Sequence, residues 1–163
     1  MKTFEELKEE LLTRAKNADA CQSGYAMGLR SNTKADLLKA ITENWFWVLR
    51  DAKIIDAEYL EDNFTEEELS QAGIYTKNTH KVRTASFACG SATVEAYDGA
   101  TVKACGSATV EAYDGATVEA YENSYVEDCT GNIRPESDYA IVKDYHNHKI
   151  YIKKGKFEII EID

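Results

Sequence analysis

The chain is poor in proline and in basic residues, and it has no long hydrophobic run. Pro135 is the single proline in 163 residues, so no proline-rich linker is present. No apolar run approaches the roughly 18 residues of a membrane helix. Asp and Glu number 29 against 19 Lys and Arg, which gives a formal charge of −10. This balance argues against direct binding to nucleic acid or to an anionic membrane, because both need clustered positive charge.

Catalytic motifs are also missing. The sequence contains no GxSxG, HExxH or P-loop pattern. The charged opening MKTFEELKEE does not look like a secretory signal. We therefore expect a non-enzymatic protein without cofactor or metal, located in the cytoplasm of a bacterium or of a phage-infected host. Its cysteines are expected to be reduced there.

An internal repeat dominates the second half of the sequence. The segment GSATVEAYDGATV at residues 90–102 recurs unchanged at 106–118, a shift of 16 residues. Each period contains two units of eight, such as ATVEAYDG from Ala92 and ATVKACGS from Ala100. Related but weaker octads extend the pattern over residues 84–163. A fixed short period of this kind is typical of a solenoid.

Alternation inside each octad predicts a β-strand. Ala92, Val94 and Ala96 fall on one face, which we expect to be buried, and the intervening Thr, Glu and Tyr fall on the other. Asp-Gly and Gly-Ser pairs predict the turns. Two strands and two turns make one coil, so the pattern predicts a two-sided parallel β-solenoid of about five coils, stacked about 4.8 Å apart.

The repeat resembles known sequences. The units GSATVEAY and DGATVKAC are similar to tandem GSATVxAY-type octapeptides in uncharacterised β-solenoid proteins of phages and gut bacteria. The resemblance covers about half of the chain and is distinctive for the repeat. It implies an origin in a phage or mobile element, and it brings no known catalytic residues.

Residues 1–75 follow a helical rhythm instead. Thr3 with Glu6 and Thr65 with Glu68 have capping-box spacing. We expect helices from Thr3 to about Asn17, over Ala18–Arg30, from Thr33 to Leu49 and from Thr65 to Gly73, with a short turn at Asp56–Leu60. Such a bundle would cap the first coil, since an open solenoid end exposes backbone and apolar side chains. The expected fold class is therefore α+β.

A period of 16 residues stacks equivalent outward side chains into columns. One column is expected to contain Glu95, Glu111 and Glu127, followed by Lys143. A second is expected to contain Tyr97, Tyr113, Cys129 and Tyr145, with Asp98 and Asp114 at the adjacent corner. We predict that partner-binding residues lie on this face, namely Glu95, Tyr97, Asp98, Glu111, Tyr113, Asp114 and Glu127.

Charge is concentrated on these coils. Residues 84–142 contain ten acidic and two basic residues. An acidic face rich in tyrosine suits an Arg- or Lys-rich protein. We therefore favour a protein-binding module with a basic partner, which could be a nucleic-acid enzyme. Three alternatives stay open: a nucleic-acid mimic that inhibits a nuclease or a defence complex (an anti-restriction or anti-CRISPR type), a structural spacer or self-assembling element, and a merely solvated outer face.

The last residues differ from the central octads. Large apolar side chains replace Ala and Val, at Phe157, Ile159, Ile160 and Ile162. We expect a terminal strand, FEIIEI, that either seals the last coil or forms the edge of a homodimer.

Cysteine and histidine offer weaker hypotheses. Cys89 and Cys105 are expected on the second face, beside Tyr121, within disulfide range in adjacent coils. Parallel strands often aim such side chains poorly, so free thiols are favoured over a disulfide. His146 and His148 lie near Asp144 but should face opposite ways, so no metal site is predicted.

Overall fold

The structure is a computed structural model that describes residues 1–162. The chain divides into two compact units, Met1–Thr76 and a second that begins at Lys77.

The first unit is helical. Its elements are α1 (Phe4–Asn17), α2 (Gln22–Arg30), α3 (Lys34–Glu43), a π-helical turn (Trp47–Asp51), α4 (Ala57–Asn63), α5 (Glu66–Gln71) and a two-residue strand, β1 (Ile74–Tyr75). The capping boxes expected at Thr3, Thr33 and Thr65 are all formed. In the region from 1 to 162, no helix has the length and apolar character needed to cross a bilayer.

Two of the helical predictions are wrong in detail. The helix expected from Thr33 to Leu49 ends at Glu43, and a π-helical turn follows it. The Asn44 side-chain amide donates to the Ala40 carbonyl at 2.9 Å, which satisfies a carbonyl at the end of α3. The segment expected to be a turn becomes α4, because the Asp56 carboxylate accepts the backbone N–H of Tyr59 at 2.8 Å.

The second unit consists of strands. They are β2 (Thr79–Val82), β3 (Ser86–Ala88), β4 (Thr93–Ala96), β5 (Thr101–Ala104), β6 (Thr109–Ala112), β7 (Thr117–Ala120), β8 (Tyr125–Asp128), β9 (Ile141–Asp144) and β10 (Lys149–Tyr151). In one sheet β2, β4, β6, β8 and β9 are parallel neighbours in that order, and in the other β3, β5 and β7 are. The predicted parallel β-solenoid is confirmed, with about four turns roughly 16 residues apart.

Small apolar side chains fill the interior of the solenoid. Ala92, Val94 and Ala96 are each 0 % exposed, and the side chains between them are partly exposed. The predicted inward and outward faces are therefore confirmed for this octad. At the corners, Asp98 and Asp114 have φ values of 53° and 47°, and each is followed by a glycine in the same left-handed region. Two such residues in succession make the tight turn that Asp-Gly favours.

The regular coils end after β8. Asp128 takes the inward position of Ala112 and is 0 % exposed. Its carboxylate accepts the backbone N–H groups of Thr130, Gly131 and Ile133 at 2.7, 3.0 and 2.9 Å. These hydrogen bonds satisfy the buried carboxylate and fix the loop that separates β8 from β9.

The predicted terminal strand is wrong. β10 runs antiparallel to β9, and a reversed strand cannot continue a parallel coil. Residues 152–162 contain no strand. Of the residues expected at a strand edge, Ile159, Ile160 and Ile162 are 73, 76 and 91 % exposed. This reversal explains why about four turns form instead of five.

The interior predicts a stability effect. Ala112 is fully buried and lies in register with Ala96 and Asp128. We expect Ala112→Leu to lower the free energy of unfolding by about 1–3 kcal/mol, because the larger side chain overpacks a filled interior. Urea unfolding followed by circular dichroism measures the change. The matched outer-face variant Thr109→Val should stay within about 0.5 kcal/mol of the parent protein. Equal stabilities for both variants would contradict the packing.

Candidate functional site

The outward carboxylates of β4, β6 and β8 form one column. Glu95 is in register with Glu111, and Glu111 is in register with Glu127. We call these three residues the glutamate column. Lys81 on β2 precedes the column, and Lys143 on β9 follows it. Sequence reasoning missed Lys81, because it lies before the first recognisable octad.

Tyrosine hydroxyls fix the direction of these carboxylates. The hydroxyl of Tyr97 donates to Glu95 at 2.7 Å, and that of Tyr113 donates to Glu111 at 2.9 Å. Each pair is two residues apart on a strand, and so both side chains lie on the same face. The two tyrosine rings stack with centroids 5.0 Å apart and an interplanar angle of 10°.

The third carboxylate is held differently. Glu127 accepts hydrogen bonds from the hydroxyls of Tyr125 and Tyr145, both at 3.3 Å. The Tyr145 hydroxyl accepts in turn from Lys143 Nζ at 2.7 Å. Lys143 Nζ also lies 4.3 Å from the centroid of the Tyr145 ring. Lys143 therefore occupies this tyrosine.

The hydrogen bonds set the charge states of the face. The Tyr97 hydroxyl, and then Lys81 with its Nζ at 3.1 Å, lower the pKa of Glu95. The pKa of Tyr113 is raised to about 12, first because its hydroxyl donates to Glu111 and then because of desolvation. At neutral pH Glu95 is therefore ionised, and Tyr113 is a protonated hydrogen-bond donor.

The corner carboxylates differ in one respect. The Nε of Arg83 contacts Asp98 Oδ2 at 2.7 Å, and its guanidinium lies 5.7 Å from the Tyr97 ring centroid. Arg83 comes directly after β2, one coil before Tyr97. At the next corner, Asp114 follows Tyr113, and the residue one coil before Tyr113 is Tyr97 instead of an arginine.

Cys129 interrupts the tyrosine column. Its backbone N–H donates to Ala112, and that of Tyr145 donates to Asp128, at 3.0 and 2.9 Å. Tyr97 and Tyr113 make the same bonds to the preceding coil, and so the positions are equivalent. Cys129 is exposed. Desolvation and the nearby carboxylates of Asp128 and Glu127 raise the pKa of its thiol, which makes it a weak nucleophile at neutral pH.

Other sequence hypotheses have different outcomes. Cys89 and Cys105 are 2 and 1 % exposed, so their expected place on an outward face is wrong. Both thiols are free. Within the part of the chain that the structure describes, no three His, Cys, Asp or Glu side chains converge as a metal site requires. On the second sheet, Lys103 is in register with Glu119, so the two sheets present different charges.

Comparisons with known proteins do not assign a family. No protein-family model matches the chain, and neither the curated proteins nor the solved structures give a match. The functional argument therefore depends on the geometry of the glutamate column and its tyrosines.

The Tyr113 hydrogen bond predicts a titration. We expect the absorbance difference between the parent protein and Tyr113→Phe to show a tyrosine that ionises near pH 12. In a Glu111→Gln background the pKa should fall toward the ordinary value of about 10, because the acceptor is then neutral. An unfolded tyrosine also ionises near about 10, so the stabilisation is complete below that pH and is lost as the pH rises to 12. A midpoint near 10 in the folded parent protein would contradict the hydrogen bond.

Proposed function

We propose that this protein is a non-enzymatic binding module that presents the glutamate column and its tyrosines to a basic protein partner. The observation that carries the proposal is the in-register column Glu95, Glu111 and Glu127, in which tyrosine hydroxyls hold each carboxylate. Groups that are ordered before binding lose little conformational entropy when a partner arrives.

Charge repulsion inside the column favours a cationic partner. Like charges one strand apart, about 4.8 Å, repel by roughly 1 kcal/mol even in water. Glu95 has Lys81 as a neighbour and Glu127 has Lys143, whereas Glu111 lies between two glutamates. A cation supplied by a partner would relieve this repulsion at the centre of the column.

A nucleic-acid mimic is a second candidate on the same face. The support is the concentration of ten acidic and two basic residues within 84–142. An acidic surface of this kind could occupy the basic groove of a nuclease or a defence complex. The resemblance to phage repeat sequences agrees with such a role, and the phage or mobile-element origin stays a proposal.

A basic peptide tests the binding face. We expect labelled nona-lysine to bind the parent protein and to bind at least about tenfold more weakly when Glu95, Glu111 and Glu127 are all changed to Gln, since three charge contacts are lost. The matched control changes three exposed glutamates of the helical unit to Gln, namely Glu5, Glu9 and Glu58. It alters the net charge equally and should bind like the parent protein. Equal loss in both variants would show a general charge effect and contradict the proposed face.

A captured partner separates the two candidates. A protein recovered from bacterial lysate by the parent chain, and not by the triple Gln variant, is then challenged with duplex DNA. Release by DNA at moderate salt supports the mimic. Retention in the presence of DNA supports a basic partner that does not use its nucleic-acid groove.

Self-association through the C-terminal segment is proposed as a separate property. β10 lies at the edge of its sheet, and its Ile150 is 65 % exposed. The exposed isoleucines 159, 160 and 162 alternate with acidic residues, whereas lysines flank β10. A second copy of the chain therefore offers charges and apolar groups that complement this edge. Phe157 packs edge-on against Tyr139, with centroids 6.1 Å apart, and would anchor the segment.

Sedimentation tests the dimer. We expect a dimer of the 18.3 kDa chain that dissociates in the double variant Ile159→Ser and Ile160→Ser, because each loses an exposed apolar side chain. The control is Leu29→Ser, which removes another exposed apolar side chain, 50 % exposed, from the helical unit. A parent protein that is monomeric at high micromolar concentration would overturn the dimer.

A further inference from the structure

We propose that the break in the tyrosine column at Cys129 is a slot for an arginine side chain of the basic partner. The guanidinium stacks on the Tyr113 ring and forms ion pairs with the carboxylates around it. This inference rests on the proposed function and adds the chemical group that the face selects.

Strand spacing gives the slot its size. Tyr97 and Tyr113, one coil apart, stack at 5.0 Å. Tyr113 and Tyr145 are two coils apart, and so their positions are separated by about 9–10 Å. Cys129 occupies the position between them with a side chain much shorter than tyrosine, and it is exposed. One face of the Tyr113 ring therefore borders a space that a planar group can enter from solvent.

The chain itself shows how this surface holds an arginine. At the first corner, the Arg83 guanidinium contacts the Asp98 carboxylate at 2.7 Å and lies 5.7 Å from the Tyr97 centroid. Tyr97 and Asp98 belong to the octad ATVEAYDG, and Tyr113 and Asp114 belong to an identical octad. The two corners also share their backbone conformation, with φ of 53° and 47° at the aspartates. Arg83 covers the outer face of the first ring, and the proposed arginine covers the outer face of the second.

The carboxylates around the slot match a guanidinium. Glu111 and Asp114 flank Tyr113 on its own coil, and Glu127 belongs to the coil of Cys129. A guanidinium presents several N–H donors in one plane, so it can stack on a ring and contact carboxylates at its edge at the same time. A lysine ammonium is a compact, strongly hydrated charge and cannot stack in this way. The slot should therefore prefer arginine over lysine.

Peptides of equal length and charge test this preference. We expect labelled nona-arginine to bind the parent protein about fivefold more tightly than nona-lysine at low salt, from cation–π stacking. Cys129→Tyr restores the residue of the repeat and fills the slot, so the preference should disappear while nona-lysine binding stays unchanged. The control Cys129→Ala keeps the slot open and should keep the preference. Circular dichroism and urea unfolding check that both variants fold.

A second measurement locates the arginine without relying on Cys129→Tyr. In a Cys21→Ser background, Cys129 is the single exposed cysteine, since Cys89 and Cys105 are buried. Alkylation of Cys129 by a maleimide, followed by mass spectrometry, should slow at saturating nona-arginine and change much less at saturating nona-lysine. Equal protection by the two peptides would overturn the slot.

The outcomes separate this inference from the function on which it rests. Equal affinity for the two peptides, with no effect of Cys129→Tyr, overturns the arginine slot while the acidic binding face stands. Failure of both peptides to bind the parent protein overturns the binding face and the slot together. Loss of arginine preference in Cys129→Tyr alone supports both.

Discussion

Parallel, in-register pairing of strands 16 residues apart is the constraint on which this molecule depends. Because each octad lies on an equivalent octad, a residue chosen once is repeated in space at every coil. The same register that stacks Val94 on Val110 in the interior stacks Glu95 on Glu111 outside. The interior and the candidate binding face are thus two consequences of one pairing scheme, and a slip by one residue would exchange them.

This register brings like charges together, and the structure offsets the cost locally. Tyrosine hydroxyls donate to the carboxylates, and lysines lie at both ends of the column. The centre of the column has the least compensation, because Glu111 has a glutamate on each side. A face that keeps uncompensated charge at its centre and ordered groups around it is better suited to a cationic partner than to solvent alone. The break at Cys129 lies one coil beyond that centre.

The repeat made most of the solenoid predictable. Period 16 and strict alternation placed Val94 inside and Glu95 outside, and the Asp-Gly pairs marked the corners. The end of the solenoid was not predictable, because the hairpin that reverses β10 depends on local turns outside the repeat. In the helical unit, capping boxes marked the helix starts, whereas the end of α3 at Glu43 depends on side-chain hydrogen bonds that periodicity does not reveal. For the candidate site, the glutamate column followed from spacing, but Lys81 and Arg83 lie before the recognisable octads.

The most direct test of the account is to map where a basic ligand contacts the protein in solution. In a nuclear magnetic resonance titration with nona-arginine, the account predicts that chemical-shift changes concentrate on the outward residues of β4, β6 and β8, centred on Glu111 and Tyr113. Residues of the second sheet, such as Glu119, should change little. Changes centred on the second sheet or on the helical unit would contradict the assignment of function to the glutamate column.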